Sequence, residues 1–97
     1  MRKYEIMFIV KPDLEEAEIN KVADSMKEVL TSHGAKIESE KAMGQKELAY
    51  EINGYKAGYY FLFVVESKDD AATKEFDRVS LINENIIRHL IVRLEER

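Results

Sequence analysis

Ninety-seven residues, 45% hydrophobic and 35% charged, make one small folded domain rather than a disordered tail or a multidomain chain. The absence of cysteine excludes a disulfide framework, a thiolate metal site and a cysteine nucleophile. A formal net charge of -4 argues against binding nucleic acid by bulk electrostatics, so any such role must rest on where the 15 lysines and arginines sit among 19 acids.

The chain opens with Tyr4, Ile6, Phe8 and Val10 alternating with Lys3, Glu5, Met7 and Ile9. Period two predicts a strand, and its partly apolar second face predicts a central place in a sheet. Pro12-Asp13-Leu14-Glu15-Glu16 then announces a helix, with Asp13 as the expected N-cap and Glu16 completing a capping box. Glu15, Glu16 and Glu18 suit the positive end of the helix dipole. Ile19, Val22, Ala23, Met26, Val29 and Leu30 form one apolar stripe, and His33-Gly34 closes the helix with Gly34 at C′.

From Ala35 to Ile52 the pattern is that of a long, charged, bent strand, with a bulge expected at Met43-Gly44-Gln45. Asn53-Gly54 opens a connection expected to end at Gly58, and Tyr59 to Glu66 follows as the strongest strand, its antiparallel hairpin partner. Asp69 and Asp70 are expected to cap a shorter helix with Ala72, Phe76 and Val79 on one face. Asn83-Glu84-Asn85 breaks it, Ile86 to Leu94 forms a last strand, and Glu95-Glu96-Arg97 is expected to fray.

Ile6 to Val10 is too short for a secretory signal core. Tyr59 to Val65, the longest apolar run, falls far short of the roughly 20 residues that span a bilayer. A soluble, cytoplasmic chain is expected. The order strand, helix, strand, strand, helix, strand predicts a ferredoxin-like βαββαβ sandwich over residues 1–97: a four-stranded antiparallel sheet of order 4-1-3-2 with two helices on one face. The other sheet face is left open, and function is to be sought there.

No catalytic constellation can be assembled. His33 belongs to a helix end, where capping accounts for it, and His89 lies in the last strand in a packing or partner-contact role. Neither has metal-ligand spacing to a second histidine or a carboxylate pair. The glycines are isolated, so no phosphate loop or nucleophile elbow exists. An acylphosphatase-like loop would have to use Lys11-Pro12-Asp13-Leu14, which offers one lysine beside an acid. The reading is therefore not an enzyme, with no cofactor and no metal.

The open face is richer. With Tyr4, Ile6 and Phe8 turned toward the helices, Met7 and Ile9 turn away. Phe61, Phe63 and Val65 likewise turn in while Tyr60, Leu62 and Val64 turn out, and Leu90 and Val92 join them from the last strand. A face this apolar predicts a protein partner, with Met7, Ile9, Tyr60, Leu62 and Leu90 as contact residues. The expected order also brings Arg93 near Arg2 and Lys3, with Arg88 farther along the same strand, as a small basic edge for phosphate contact. An RNA-recognition motif is the neighbouring alternative, and Lys56-Ala57-Gly58-Tyr59-Tyr60-Phe61-Leu62-Phe63 has a passing likeness to its third strand. That likeness lacks the small residue after the first aromatic, and Met7 and Ile9 stand where strand one needs a ring.

Met1-Arg2-Lys3-Tyr4-Glu5-Ile6-Met7 with Lys11-Pro12-Asp13 resembles the first strand and turn of bacterial ribosomal small-subunit protein six. Leu48-Ala49-Tyr50-Glu51-Ile52 followed by Gly58-Tyr59-Tyr60 resembles its centre. Glu75-Phe76-Asp77-Arg78 with Asn85-Ile86-Ile87-Arg88-His89 resembles its end, so the blocks cover the chain in the family's order. The resemblance implies a ferredoxin-like fold in the platform of the small ribosomal subunit. It also implies binding to the central domain of small-subunit ribosomal RNA together with ribosomal small-subunit protein eighteen. Of the two adjacent basic residues common before Leu-Ala-Tyr in that family only Lys46 is present, Glu47 taking the second place, so Lys46 joins Arg2, Lys3, Arg88 and Arg93 as an expected RNA contact. A short C-terminal tail shifts the expected binding onto the sheet and the last strand. The alternative from another class is an ACT-like regulatory module that homodimerises through its sheet and binds a metabolite.

Overall fold

Phe8 lies at the centre of the packing because its strand is the inner member of a sheet with a neighbour on each side. The structure, a computed structural model, describes residues 2–94. Its elements are β1 (Arg2–Val10), α1 (Glu16–Ser32), β2 (Lys36–Ile52), β3 (Tyr55–Ser67), α2 (Ala71–Ile82) and β4 (Ile86–Leu94). The strands are antiparallel in the order β2-β3-β1-β4, which is the expected 4-1-3-2 read from the other edge. The frayed end expected for residues 95–97 lies outside the described residues.

Alternation decides what β1 buries. Tyr4, Ile6, Phe8 and Val10 face the helices and are buried. Phe8 stacks on Phe61 at 5.2 Å and meets Phe63 and Phe76 edge-on at 5.3 and 5.7 Å. Each such ring pair contributes about 0.5–1.5 kcal/mol beyond its buried area. The apolar stripe of α1 closes over this cluster with Ile19, Val22, Ala23, Met26 and Leu30, and α2 adds Ala72 and Phe76.

The helix ends partly depart from expectation. Asp13 is not the N-cap of α1 and makes no capping box with Glu16: the helix starts at Glu16, and the Glu15 carbonyl accepts from the Glu18 and Ile19 amides. Leu14 explains the shift. It packs against the core cluster that contains Ile19, the N′ and N4 positions of a hydrophobic staple, so apolar contact sets the entry of the chain. The C-terminus follows expectation, with the Gly34 amide donating to Thr31 and the Ala35 amide to Leu30, the paired bonds of a Schellman motif. At α2 the capping work falls to Asp69, whose Oδ1 accepts from the Ala71 amide at 3.0 Å; Asp70 holds the N-cap position without a side-chain capping bond.

The hairpin is tighter and longer than its sequence suggests. β3 begins at Tyr55 rather than Tyr59, because Asn53 (φ 51) and Gly54 (φ 84) form a complete two-residue turn with Ile52 paired to Tyr55. Two successive positive φ values are those of a type I′ turn, whose twist matches antiparallel strands. Ladder irregularities interrupt β2 at Ile37/Ser39, at Ala42/Gly44 as the sequence predicts, and near the tip. There β2 advances five residues, from Glu47 to Ile52, while β3 advances two, from Ala57 to Tyr55. The excess on one strand bends the tip out of the sheet.

Gly58 lies at the base of this bend, where β3 approaches β1. A Cβ there would stand 2.3 Å from Ile9 Cγ2 and 3.2 Å from the Val10 carbonyl oxygen. The position therefore requires glycine for close approach. Gly58→Ala is expected to destabilise the fold by about 1–3 kcal/mol, the range for overpacking, measured by urea unfolding. Combined with Ile9→Ala, which removes the clashing methyl, its cost should shrink. A Gly58→Ala protein as stable as the parent would refute the close-approach account.

Candidate functional site

The open face carries a continuous apolar band because three strands present their outward residues in register. Met7 pairs with Leu62 on β3 and with Leu90 on β4, while Ile9 pairs with Tyr60 and Arg88. All five residues expected to contact a partner thus share one face. Val92, opposite Glu5, extends the band, and Leu90 and Val92 are 53% and 41% exposed. Ile9 differs from the rest, for it is only 3% exposed although it points away from the helices.

The hairpin tip covers Ile9. Leu48, Ala49, Tyr50 and Ile52 line one cleft of ≈ 260 Å³ with Met7, Ile9, Tyr60, Arg88 and Leu90. In a flat sheet β2 and β4 would stand about 14 Å apart, three strand spacings. Here the Arg88 guanidinium donates a hydrogen bond to the Tyr50 hydroxyl and lies 6.0 Å from the Tyr50 ring centroid. The tip has curled over β3 and β1 to reach β4. Nothing in the period-two pattern announces this, since the bend arises from a ladder mismatch; the signal available in sequence is the tight Asn53-Gly54 turn followed by Gly58.

The expected basic edge is not one surface. Arg93 does come beside Arg2 and Lys3 along the strands, Tyr4 being paired with Arg93 and Lys3 with Leu94. Alternation then divides them. Arg2 and Arg93 face the helix side, in a depression with Asp70, Thr73, Lys74 and Asp77. Hydrogen bonding to Tyr4, and then the negative charges of Asp70 and Asp69, strengthen the hold of Arg2 on its proton. Lys3 faces the other way and bridges Glu38 at 3.2 Å. Arg88 and Lys46 stand at the hairpin end, with the Lys46 ammonium 6.0 Å from the Tyr60 ring centroid. The five cations expected to contact phosphate therefore fall into three places.

His89 belongs to the helix face. The β4 irregularity falls at Ile87, ahead of His89, and leaves Ile86 and Ile87 both buried. His89 then pairs with Phe8, touches Phe76 edge-on at 6.4 Å and places Nε2 2.6 Å from Asp77 Oδ1, tying β4 to α2. His33 caps α1, with Nδ1 2.9 Å from the Val29 carbonyl and Nε2 3.6 Å from Glu75. Both histidines are thus engaged in joining elements. Among the described residues no group of three or more His, Asp or Glu side chains is placed to hold a metal ion.

Against this geometry, comparison with known proteins is decisive. Residues 3–93 match the model of the family described as Ribosomal protein S6. The chain belongs to the ribosomal protein S6 family. It is 49% identical over 96 residues to the small ribosomal subunit protein bS6 of Halalkalibacterium halodurans, covering 99% of this chain and 100% of that protein. It also superposes on the crystal structure of 30S ribosomal protein S6 from Thermotoga maritima with a TM-score of 0.90. The identity there is 28%, over 96% of this chain and 87% of that one. As an S6 protein the chain is a small-subunit ribosomal protein, located in the cytoplasmic ribosome, and the ferredoxin-like βαββαβ fold is the one this family shares.

Charge pairing across the open face has a measurable consequence. Glu38 on β2 is held below the usual carboxylate range, first by hydrogen bonding with Glu66 on β3 and then by Lys3 on β1. A carboxyl whose folded value lies below its unfolded one stabilises the fold above the ordinary carboxylate range, and that contribution disappears as pH falls through the folded value. Asp70, through Lys74, and Glu75, through Arg78, act in the same direction. Stability to urea should therefore drop between about pH 5 and pH 3, and Glu38→Gln should make that drop shallower. An unchanged acid limb in the variant would rule out the three-strand charge cluster as a contributor.

Proposed function

We propose that the chain is a non-catalytic structural protein that binds the central domain of small-subunit ribosomal RNA as one half of a heterodimer with ribosomal small-subunit protein eighteen. The observation that carries this reading is the apolar band of half-buried Met7 and Leu62 and exposed Leu90 and Val92, bounded by Arg88 and Lys46 on a chain of net charge -4. A band of this kind is favourable to cover and unfavourable to leave in water, which supports a protein partner. The few cations beside it can set orientation on phosphates, while the partner supplies charge that this chain lacks. Met7, Leu62 and Leu90 are assigned to the partner, with Tyr60, which lies where the band runs under the hairpin tip, at the boundary of that contact. Ile9 supports the hairpin from beneath. Arg2, Lys3, Lys46, Arg88 and Arg93 are the phosphate-contact candidates, with Arg88 and Lys46 nearest the band.

Binding to a central-domain RNA fragment, with and without protein eighteen across a salt series, tests the proposal. Partner-dependent binding that weakens with salt is expected. Leu90→Glu places a charge in the band at an exposed position and should weaken assembly at least about tenfold. Leu81→Glu, on the exposed side of α2, should leave it unchanged. No binding with the partner present, together with a homodimer that takes up a metabolite, would instead establish the ACT-like alternative.

A further inference from the structure

The cleft beneath the hairpin tip is chemically unlike the rest of this acidic chain. Its lining includes Ile9, Leu48, Tyr50, Tyr60, Arg88 and Leu90, and contains no carboxylate. Two tyrosine rings belong to it, and each has a cation 6.0 Å from its centroid, Arg88 at Tyr50 and Lys46 at Tyr60. Tyr50 is 62% exposed, so its ring is not serving the core. The volume of ≈ 260 Å³ lies just under the roughly 300 Å³ at which pockets for whole small-molecule ligands begin. A single flat group is of a size to occupy it.

We propose that this cleft receives a single unpaired RNA base, packed against the rings of Tyr50 and Tyr60, with its phosphate met by Arg88 and Lys46. The inference rests on the RNA-binding reading above and names where one nucleotide is held. A base is favoured because the lining brings two tyrosine rings together without a carboxylate, and Arg88 in the lining and Lys46 beside Tyr60 can meet a phosphate. Glu47 and Glu51 line a separate depression with Tyr50. The guanidinium of Arg88 has five N–H donors, so the bond to Tyr50 leaves donors for a phosphate oxygen. Sheets that stack bases commonly use rings on two adjacent strands. Here β1 offers Met7 and Ile9, and the curled tip of β2 brings the second ring instead.

The test has two arms. In the first, the isolated protein is titrated with the four ribonucleoside 5′-monophosphates at millimolar concentration, with inorganic phosphate as control, and amide shifts are followed by NMR. At least one nucleotide should move Leu48, Tyr50, Tyr60 and Leu90 together, beyond what phosphate does. If none does, the cleft does not take a base and the inference is overturned. In the second arm, Tyr50→Ala should weaken the complex with protein eighteen and the central-domain RNA by about 5- to 100-fold, while Tyr50→Phe stays within about twofold. Equal losses in both variants would assign Tyr50 to its hydroxyl bond with Arg88 and overturn stacking. Loss of pairing with protein eighteen in the absence of RNA would make the cleft a protein contact, with the same result. Failure of the parent protein to bind RNA at all would sink the heterodimer reading, and the nucleotide arm decides the cleft separately.

Discussion

Burial of β1 on both faces at Phe8 and Ile9 is the constraint on which the remaining structure depends. On the helix side Phe8 is enclosed by Phe61, Phe63 and Phe76, so β3, α2 and β1 must meet at one point. On the other side Ile9 is covered by the hairpin tip, which holds its place only because Gly58 lets β3 approach. A large apolar side chain buried in this way contributes about 1.5–3 kcal/mol relative to exposure. The two contacts act on adjacent residues of one strand. A register slip of one position would put Ile9 into the helix face and Phe8 under the hairpin, losing both.

The same alternation governs the charges. Arg2 and Lys3 are neighbours in sequence and therefore cannot serve one surface while both lie in β1. Arg2 joins Arg93, Asp70 and Asp77 beneath α2, where opposite charges compensate it locally. Lys3 joins Glu38 and Glu66 across three strands. These pairs are solvent-exposed and individually weak, and salt screens them further. Their effect is mainly on where positive potential remains. At the hairpin end Lys46 and Arg88 lie over tyrosine rings, while Glu47 and Glu51 line a separate depression on the same tip.

Much of the fold was readable from residue order alone. The element sequence, the strand order and the two faces of β1 and β3 follow from period-two and period-3.6 patterns, and Gly34 marked the end of α1. Local contests between short-range signals were less readable. Asp13 satisfies the pattern of a capping box, yet Leu14 moves the helix start because apolar packing outweighs one side-chain hydrogen bond. Tyr55 to Gly58 looks like a loop, yet Asn53-Gly54 is a complete turn and the strand resumes at once. All five apolar residues singled out for partner contact do lie on one face. The grouping of the cations into one basic edge fails, because proximity along a strand says nothing about side. The last strand does carry a bulge, at Ile87, but it precedes His89 and leaves that residue in unbroken alternation with Leu90 and Val92.

The curled hairpin divides the open face into two regions of different chemistry. Away from the tip, Leu62 and Val92 continue from Met7 and Leu90 at the cleft's edge as a shallow, mainly apolar strip that suits a complementary protein surface. Beneath the tip, rings, cations and a small concavity replace flat apolar contact. A single chain with more acids than bases can contribute to RNA binding in this way, because affinity from bulk charge is not what it supplies. On the proposed reading it supplies a rigid sheet on which one region would meet a protein neighbour and the adjacent region would present an anion-compatible cleft at a set distance. The Asn53-Gly54 turn and the glycine at position 58 hold those two regions side by side, so residues that contact neither partner nor RNA still determine the geometry with which both would be met.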